Sequence, residues 1–136
     1  MKKAIIMLFF VLCSLVSYAP NVKMVYIPHI EPIKVSYYEP LIRAIFKVEA
    51  DYNPLAFNPK EGAYGGLQIR DCRIKHYNRL TNKNYTLEDM YDFEKAKEVF
   101  LYFAEGKSYE QAAKNWNGSG PMTITYWEKV KKALQI

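Results

Sequence analysis

The sequence predicts one small, mainly helical domain. Apolar residues recur every three or four positions in several separate segments, which is typical of amphipathic helices that pack on a shared core. Ser108 and Gln111 have the spacing of a capping box, in which the two residues satisfy free backbone donors at the start of a helix. The sequence contains no internal repeat and no low-complexity tract, and its 136 residues are enough for one domain with its own core.

The first 19 residues have the pattern of an export signal. A charged start, Met1-Lys2-Lys3, precedes an apolar run from Ala4 to Val16, and Ser17-Tyr18-Ala19 then supplies small residues at the spacing of a cleavage site. The apolar run is too short to cross a bilayer comfortably. We therefore predict a signal peptide over residues 1–19 and a periplasmic or extracellular protein, with an uncleaved membrane anchor as the alternative.

Charge and cysteine content narrow the function classes. Without Lys2 and Lys3, 17 basic residues remain against 14 acidic ones, a net charge of +3. This mild, scattered excess suits an anionic surface but does not indicate nucleic-acid binding, for which basic residues cluster. Cys13 lies in the predicted signal, so Cys72 has no partner for an intrachain disulfide. We expect a monomer whose stability depends on packing alone.

The remaining chain divides into an extended segment and a helical domain. Residues 20–37 contain three prolines among apolar residues, which predicts either a tether or a strand-like segment on the domain surface. The domain then covers residues 38–136, and its first helix begins near Glu39-Pro40, because proline suits the first turn of a helix. Proline also restricts the residue before it, so this helix is predicted to end at Asn53-Pro54.

Later helices follow from periodicity and caps. They are predicted over residues 67–80, from Phe93 to Phe103 with Thr86 or Asp92 as the cap, from Tyr109 to Trp116, and from Tyr126 to Leu134.

One acidic residue lies where an apolar residue is expected. Glu49 falls near the centre of the apolar face of the first predicted helix, which consists of Leu41, Ile42, Ile45, Phe46 and Val48. Arg43 and Lys47 do not share this face, so neither neutralises Glu49 within the helix. A carboxyl group among apolar neighbours keeps its proton to higher pH, as a general acid at neutral pH must. The alternative is a glutamate at the helix end that turns back to solvent.

Four motifs follow one another along the chain. They are A-I-F-K-V-E-A-D-Y-N-P at residues 44–54, A-Y-G-G-L-Q-I at residues 63–69, W-N-G at residues 116–118 and Y-W-E-K-V at residues 126–130. In this order and spacing they resemble the catalytic domain of lytic transglycosylases, the lysozyme-like enzymes that cut bacterial peptidoglycan. Each motif alone is weak, but the four together, across roughly residues 38–134, form a specific pattern.

The resemblance implies a lysozyme-like α+β fold, mainly helical, with a short β-hairpin beside the active-site cleft. It also implies cleavage of the β-1,4 bond between N-acetylmuramic acid (MurNAc) and N-acetylglucosamine (GlcNAc), without water and with formation of 1,6-anhydro-MurNAc. Glu49 would act first as the general acid and then as the base. No cofactor is required. The expected partner is the peptidoglycan glycan strand, and a secretion or envelope-assembly machine is a second candidate partner.

The resemblance also implies a set of substrate-binding residues. Glycines in the loop would let backbone amides approach the sugar, and flat aromatic rings would stack on sugar rings. The residues are Tyr64, Gly65, Gly66, Gln68, Trp116, Asn117 and Tyr126. Ordinary turns are the alternative for the glycines and Asn117, an exposed polar residue is the alternative for Gln68, and core packing is the alternative for Trp116 and Tyr126.

The sequence departs from the family pattern at four points. Ala50 replaces the usual serine after the catalytic glutamate, Gly66 replaces a loop leucine, which favours flexibility, and Trp116 replaces a tyrosine. The helix that usually precedes the glutamate helix is also missing, and the segment in its place does not have a helical pattern. Two of these changes, Ala50 and Trp116, support an alternative function, a non-catalytic peptidoglycan-binding or assembly protein on the same fold.

Two further catalytic interpretations remain. A lysozyme-type hydrolase would need a second carboxylate to position water, and Glu61 or Asp71 are the candidates, although solvated loop charges are the simpler interpretation. A thiol nucleophile would pair Cys72 with His76, but nothing near them resembles a cysteine-protease signature. The same pair is an incomplete set of metal ligands, so no metal site is predicted.

Overall fold

The computed structural model describes residues 36–135, so the predictions for residues 1–19 and for most of residues 20–37 lie outside the described residues. Within this range the chain is mainly helical, as predicted. The five α-helices are α1 (Glu39–Ala50), α2 (Asp71–Thr81), α3 (Phe93–Ala104), α4 (Tyr109–Asn117) and α5 (Met122–Leu134), and a 3₁₀ helix spans Glu88–Tyr91. No described helix is both long enough and apolar enough to cross a membrane.

Three two-residue strands form a small antiparallel sheet between α1 and α2. The strands are β1 (Phe57–Asn58), β2 (Ala63–Tyr64) and β3 (Ile69–Arg70), in the spatial order β1-β2-β3. Phe57 pairs with Tyr64, which in turn pairs with Ile69. The hairpin β1–β2 was expected from the family resemblance, whereas β3 was not predicted.

The first helix begins at Glu39 as predicted but ends at Ala50, so the predicted end at Asn53-Pro54 is wrong. Asp51 and Tyr52 both adopt left-handed backbone conformations, with φ of 48° and 65°. Their amide groups donate to the carbonyls of Lys47 and Phe46 and so satisfy free acceptors of the last turn. The chain has therefore left the helix before the proline restricts it.

The second helix begins at Asp71, four residues later than predicted. Gln68 has a left-handed backbone with φ of 51°, and Ile69 and Arg70 pair with β2 as strand β3. Because both conformations exclude an α-helix, residues 67–70 belong to the sheet and its preceding turn. As a result, Gln68 lies in a tight turn and not on the surface of a helix.

The predicted caps are confirmed in part. Asp92 caps α3, where its carboxylate accepts from two backbone amides, and Ser108 and Gln111 form the capping box of α4. Thr86 does not cap α3. It lies before the 3₁₀ helix, and its amide and hydroxyl both donate to the carboxylate of Asp89 within that helix.

The core lies between the helices, and α1 packs against α5 and α4. Its largest fully buried side chains are Leu41, Ile42, Ile45, Leu67, Ile69, Tyr77, Met90, Val99, Phe100 and Val130. The C-terminal turn of α1 reaches the edge of this core, beside α5 and the sheet. Glu49 lies on that turn.

Candidate active site

A cleft of about 410 Å³ opens at the end of α1. Six of the predicted site residues line it: Glu49, Glu61, Gln68, Trp116, Asn117 and Tyr126. They come from α1, the β1–β2 turn, the turn before β3, α4 and α5. Residues that lie far apart in the sequence therefore meet in a single cleft.

The Glu49 carboxylate is partly buried in the cleft wall and accepts a 2.7 Å hydrogen bond from the Tyr126 hydroxyl. Burial raises the pKa of the Glu49 carboxyl above its ordinary value, although the Tyr126 hydrogen bond lowers the pKa and offsets part of this rise. The charge of Glu61 raises the Glu49 pKa further, whereas Arg70 and Lys129 lower it. The net effect is a Glu49 pKa above its ordinary value, which is the direction that a proton donor requires.

Tyr126 is buried in the core and also lines the cleft. Burial, together with the charge of Glu49 and the hydrogen bond to it, raises the pKa of the Tyr126 hydroxyl. The hydroxyl therefore keeps its proton and remains a hydrogen-bond donor to Glu49. Tyr126 therefore belongs both to the core and to the residues that line the cleft.

We expect Tyr126→Phe to raise the pKa of the Glu49 carboxyl further. Loss of the hydroxyl removes a hydrogen bond that favours the ionised form of Glu49, so the carboxyl keeps its proton to higher pH. The measurement is the Glu49 pKa, obtained from an NMR titration of its side-chain carboxyl carbon. Tyr102→Phe, which removes an exposed hydroxyl on α3, is the control and should leave the Glu49 pKa unchanged. A lower Glu49 pKa in Tyr126→Phe would contradict the assigned role of Tyr126.

Two other predicted residues of the cleft, Gln68 and Trp116, donate side-chain hydrogen bonds to backbone carbonyls. The side-chain amide of Gln68 donates to the Gly65 carbonyl at 2.9 Å, which fixes its orientation in the cleft wall. Asn117 is the last residue of α4 and is followed by Gly118, whose φ of 133° ends the helix. Trp116 is buried, and its indole nitrogen donates to the Leu67 carbonyl at 3.1 Å.

Tyr64, Gly65 and Gly66 are not among the described residues that line the cleft. The Tyr64 ring packs between those of Phe57 and Tyr91, with centroids 4.8 and 5.6 Å away. Both glycines are buried, and each allows a close approach of other groups. A Cβ atom at Gly66 would lie 2.5 Å from the Phe46 ring, so the absent side chain here permits tight packing.

The two candidate second carboxylates lie in different surroundings. Glu61 lines the cleft, and its carboxylate lies 3.9 Å from Arg70. Asp71 is not among the described lining residues, and its carboxylate pairs with Lys75 on the same helix at 2.7 Å. Of the two, only Glu61 is positioned to act with Glu49.

The thiol interpretation gains no geometric support. Cys72 is exposed at the edge of the cleft, whereas the His76 ring packs on Phe103 with a centroid distance of 5.4 Å. Within residues 36–135, no group of three or more His, Cys, Asp or Glu side chains is arranged to hold a metal ion.

Three basic residues of the cleft were missed by the sequence analysis. Arg70, Arg73 and Lys129 all line it. Lys129 could have been found, because it follows the predicted site residue Tyr126 by three residues on one helix, a spacing that places side chains on one face. No such spacing was available for Arg70, which lies in strand β3, or for Arg73. The cleft therefore contains more positive charge than the motifs indicated.

No protein-family model, no curated protein and no solved structure matches the chain. Between residues 36 and 135, the fold is a mainly helical domain with a three-strand antiparallel sheet. Its function is inferred from the chemistry of the cleft and from the motifs that meet there.

Proposed function

We propose that this protein is a peptidoglycan-cleaving glycosidase of the lytic transglycosylase type, with a lysozyme-like fold. One observation carries the proposal: a partly buried carboxyl with a raised pKa, Glu49, lies in a cleft beside residues from the three other motifs. Gln68, Trp116 and Tyr126 are separated from it in the sequence but share its cleft. A polar cleft that contains a carboxyl with a raised pKa suits cleavage of an uncharged glycosidic bond.

The proposed reaction has two steps at one carboxyl. Glu49 donates its proton to the oxygen between MurNAc and GlcNAc, and the bond from that oxygen to C1 of MurNAc breaks as positive charge builds on the sugar. The acetamido oxygen of the same MurNAc bonds to C1 and stabilises this charge. The C6 hydroxyl then displaces the acetamido oxygen from C1, and the Glu49 carboxylate accepts the hydroxyl proton. The products are a GlcNAc end and 1,6-anhydro-MurNAc, and Glu49 is again protonated.

Tyr126 supports both steps in this scheme. Its hydroxyl donates to Glu49 Oε1, so the carboxylate formed in the first step keeps a hydrogen bond until it accepts the second proton. The partly buried position of Glu49 has the opposite effect on its pKa, since burial favours the protonated carboxyl that the first step needs.

A lysozyme-type hydrolase is the second candidate function, and Glu61 is the observation that favours it. Its carboxylate lines the same cleft, and its charge raises the Glu49 pKa, so the two groups interact. In a hydrolase Glu61 would position a water molecule that attacks C1. Glu61 is exposed, and its carboxylate lies 3.9 Å from Arg70.

A non-catalytic binding or assembly protein is the third candidate. Its arguments from the sequence were Ala50 and Trp116, and the contacts of Trp116 weaken the second argument. The indole hydrogen bond to Leu67 gives tryptophan a structural role that requires no loss of activity. A binder also has no need of a carboxyl group with a raised pKa.

The export signal predicted over residues 1–19 supports action on peptidoglycan outside the cytoplasm. We propose that the protein acts as a monomer on glycan strands, with an envelope-assembly or secretion machine as a second partner.

The proposal is tested by mass spectrometry of fragments released from purified peptidoglycan. We expect muropeptides one water lighter than hydrolytic products, because the anhydro ring forms without water. Digests without protein and with Glu49→Gln provide the background. Full-weight reducing ends would instead indicate a hydrolase, and the absence of any Glu49-dependent fragment would contradict both enzymatic functions.

A further inference from the structure

The cleft has an excess of positive charge. Three basic side chains, Arg70, Arg73 and Lys129, line it together with two acidic ones, Glu49 and Glu61. Glu61 and Arg70 lie 3.9 Å apart and offset each other. Arg73 and Lys129 then face Glu49 alone, so the cleft keeps an excess of positive charge whether or not Glu49 is ionised.

Arg73 is held rigidly in the cleft wall. Its guanidinium carbon lies 4.8 Å from the centroid of the Trp116 ring and 5.0 Å from that of Phe103, so aromatic rings pack against the group. Its Nη2 atom donates to the carbonyls of Asn115 and Trp116 at 3.1 and 3.0 Å. These bonds join α2 to the end of α4 and fix where the charge lies.

Neither cation has an acidic partner in the part of the chain that the structure describes. No ion pair to Arg73 or to Lys129 occurs within residues 36–135. Burial lowers the Arg73 pKa and the neighbouring Arg70 lowers it further, yet an arginine remains protonated at any working pH. Arg73 is a partly desolvated cation without a counter-charge, so it favours an anion at its side of the cleft. Lys129 is exposed and adds a solvated positive charge to the same cleft.

We propose that Arg73 and Lys129 bind carboxylates of the peptide stem, so that the cleft is specific for glycan strands whose stem carboxylates are free. In a MurNAc that carries a stem, the lactyl carboxyl is consumed in the amide bond to the peptide. The nearest negative charge to the sugar is then a carboxylate of the stem itself. The inference rests on the proposed function, because it takes the ligand to be a peptidoglycan strand.

The test measures binding and not cleavage. The Glu49→Gln form is titrated with soluble, uncross-linked strands that carry tetrapeptide stems. In one preparation the stem carboxylates are free, and in the other they are converted to primary amides, while amines are acetylated in both. We expect the amidated strands to bind about tenfold more weakly, because amidation removes charge-assisted contacts.

Variants in the Glu49→Gln background assign the difference to residues. Lys129→Gln should reduce the tenfold preference to about threefold, since one of the two charges is lost. Arg73→Gln and Arg73→Lys both lose the hydrogen bonds to the backbone carbonyls, but only Arg73→Lys keeps the positive charge. We therefore expect Arg73→Lys to keep a larger preference for strands with free carboxylates than Arg73→Gln, and the difference measures the effect of charge. Lys132→Gln removes an exposed charge of the same helix α5 that does not line the cleft, and it should leave the preference unchanged.

Equal binding of the two preparations, or no binding of either, would overturn the inference. A preference that persists undiminished in both Lys129→Gln and Arg73→Gln would also overturn it, because the carboxylates would then be bound elsewhere. These outcomes are separate from failure of the proposed function, which is measured as absence of Glu49-dependent fragments from the parent protein.

Discussion

Glu49→Gln is expected to reduce the rate of glycosidic cleavage by about 10³-fold, within the range of general acid catalysis. Glutamine keeps the size of the side chain and can still accept the Tyr126 hydrogen bond, but it has no proton to donate to the leaving oxygen. The rate is measured as release of soluble fragments from peptidoglycan at saturating substrate.

Glu61→Gln is the matched control, since it makes the same chemical change at the other acidic residue that lines the cleft. A transglycosylase should keep most of its rate in this variant, whereas a hydrolase that uses Glu61 should lose it. Undiminished cleavage by Glu49→Gln would show that another group supplies the proton.

The same Glu49→Gln variant should remain folded and become more stable relative to the parent protein as the pH rises. The folded pKa of Glu49 lies above its unfolded value, so the parent protein loses stability as pH rises from the unfolded pKa through the folded one. Glutamine does not titrate and avoids this loss. The difference in free energy of unfolding between variant and parent should therefore be small in acid and larger at neutral pH, as measured by urea denaturation. If the variant were inactive because it misfolds, its free energy of unfolding would instead be lower than that of the parent.

Elements with local determinants were predicted well. Apolar periodicity identified α3, α4 and α5, and the caps Asp92 and Ser108 depend only on residues within one turn. The ends of α1 and α2 facing the sheet were wrong because Asp51 and Gln68 adopt left-handed conformations without being glycine. Such conformations depend on the packing around the turn, which a local pattern does not contain.

The predictions for the cleft residues divide in the same way, into those with local determinants and those that depend on tertiary contacts. Glu49 could be identified because its own helix supplies the apolar neighbours that make it unusual. The position of Arg73 depends on Trp116 and Phe103, which are 43 and 30 residues away along the chain, and no local spacing reports such contacts. The glycines were assigned to sugar binding from the family resemblance, and only the tertiary structure shows what packs against them.

Gly65→Ala is expected to lower the free energy of unfolding by about 3 kcal/mol or more. Gly65 has a left-handed backbone with φ of 73°, which is unfavourable for alanine. A Cβ atom at this position would lie 2.7 Å from the carbonyl carbon of Met90 and overlap its oxygen. Because backbone atoms cannot rotate aside as a flexible side chain does, either the loop or the 3₁₀ helix must move.

Gly106→Ala separates backbone strain from the overlap. Its φ of 72° is nearly the same, but a Cβ atom there would meet nothing within 4 Å, so we expect a loss of only about 1 kcal/mol. Urea denaturation of both variants measures the difference, and equal losses would contradict the role of the Met90 contact. The Gly65 carbonyl also accepts the hydrogen bond that orients Gln68 in the cleft. Gly65→Ala should therefore weaken the binding of glycan strands even at temperatures where the variant remains folded, whereas Gly106→Ala should not.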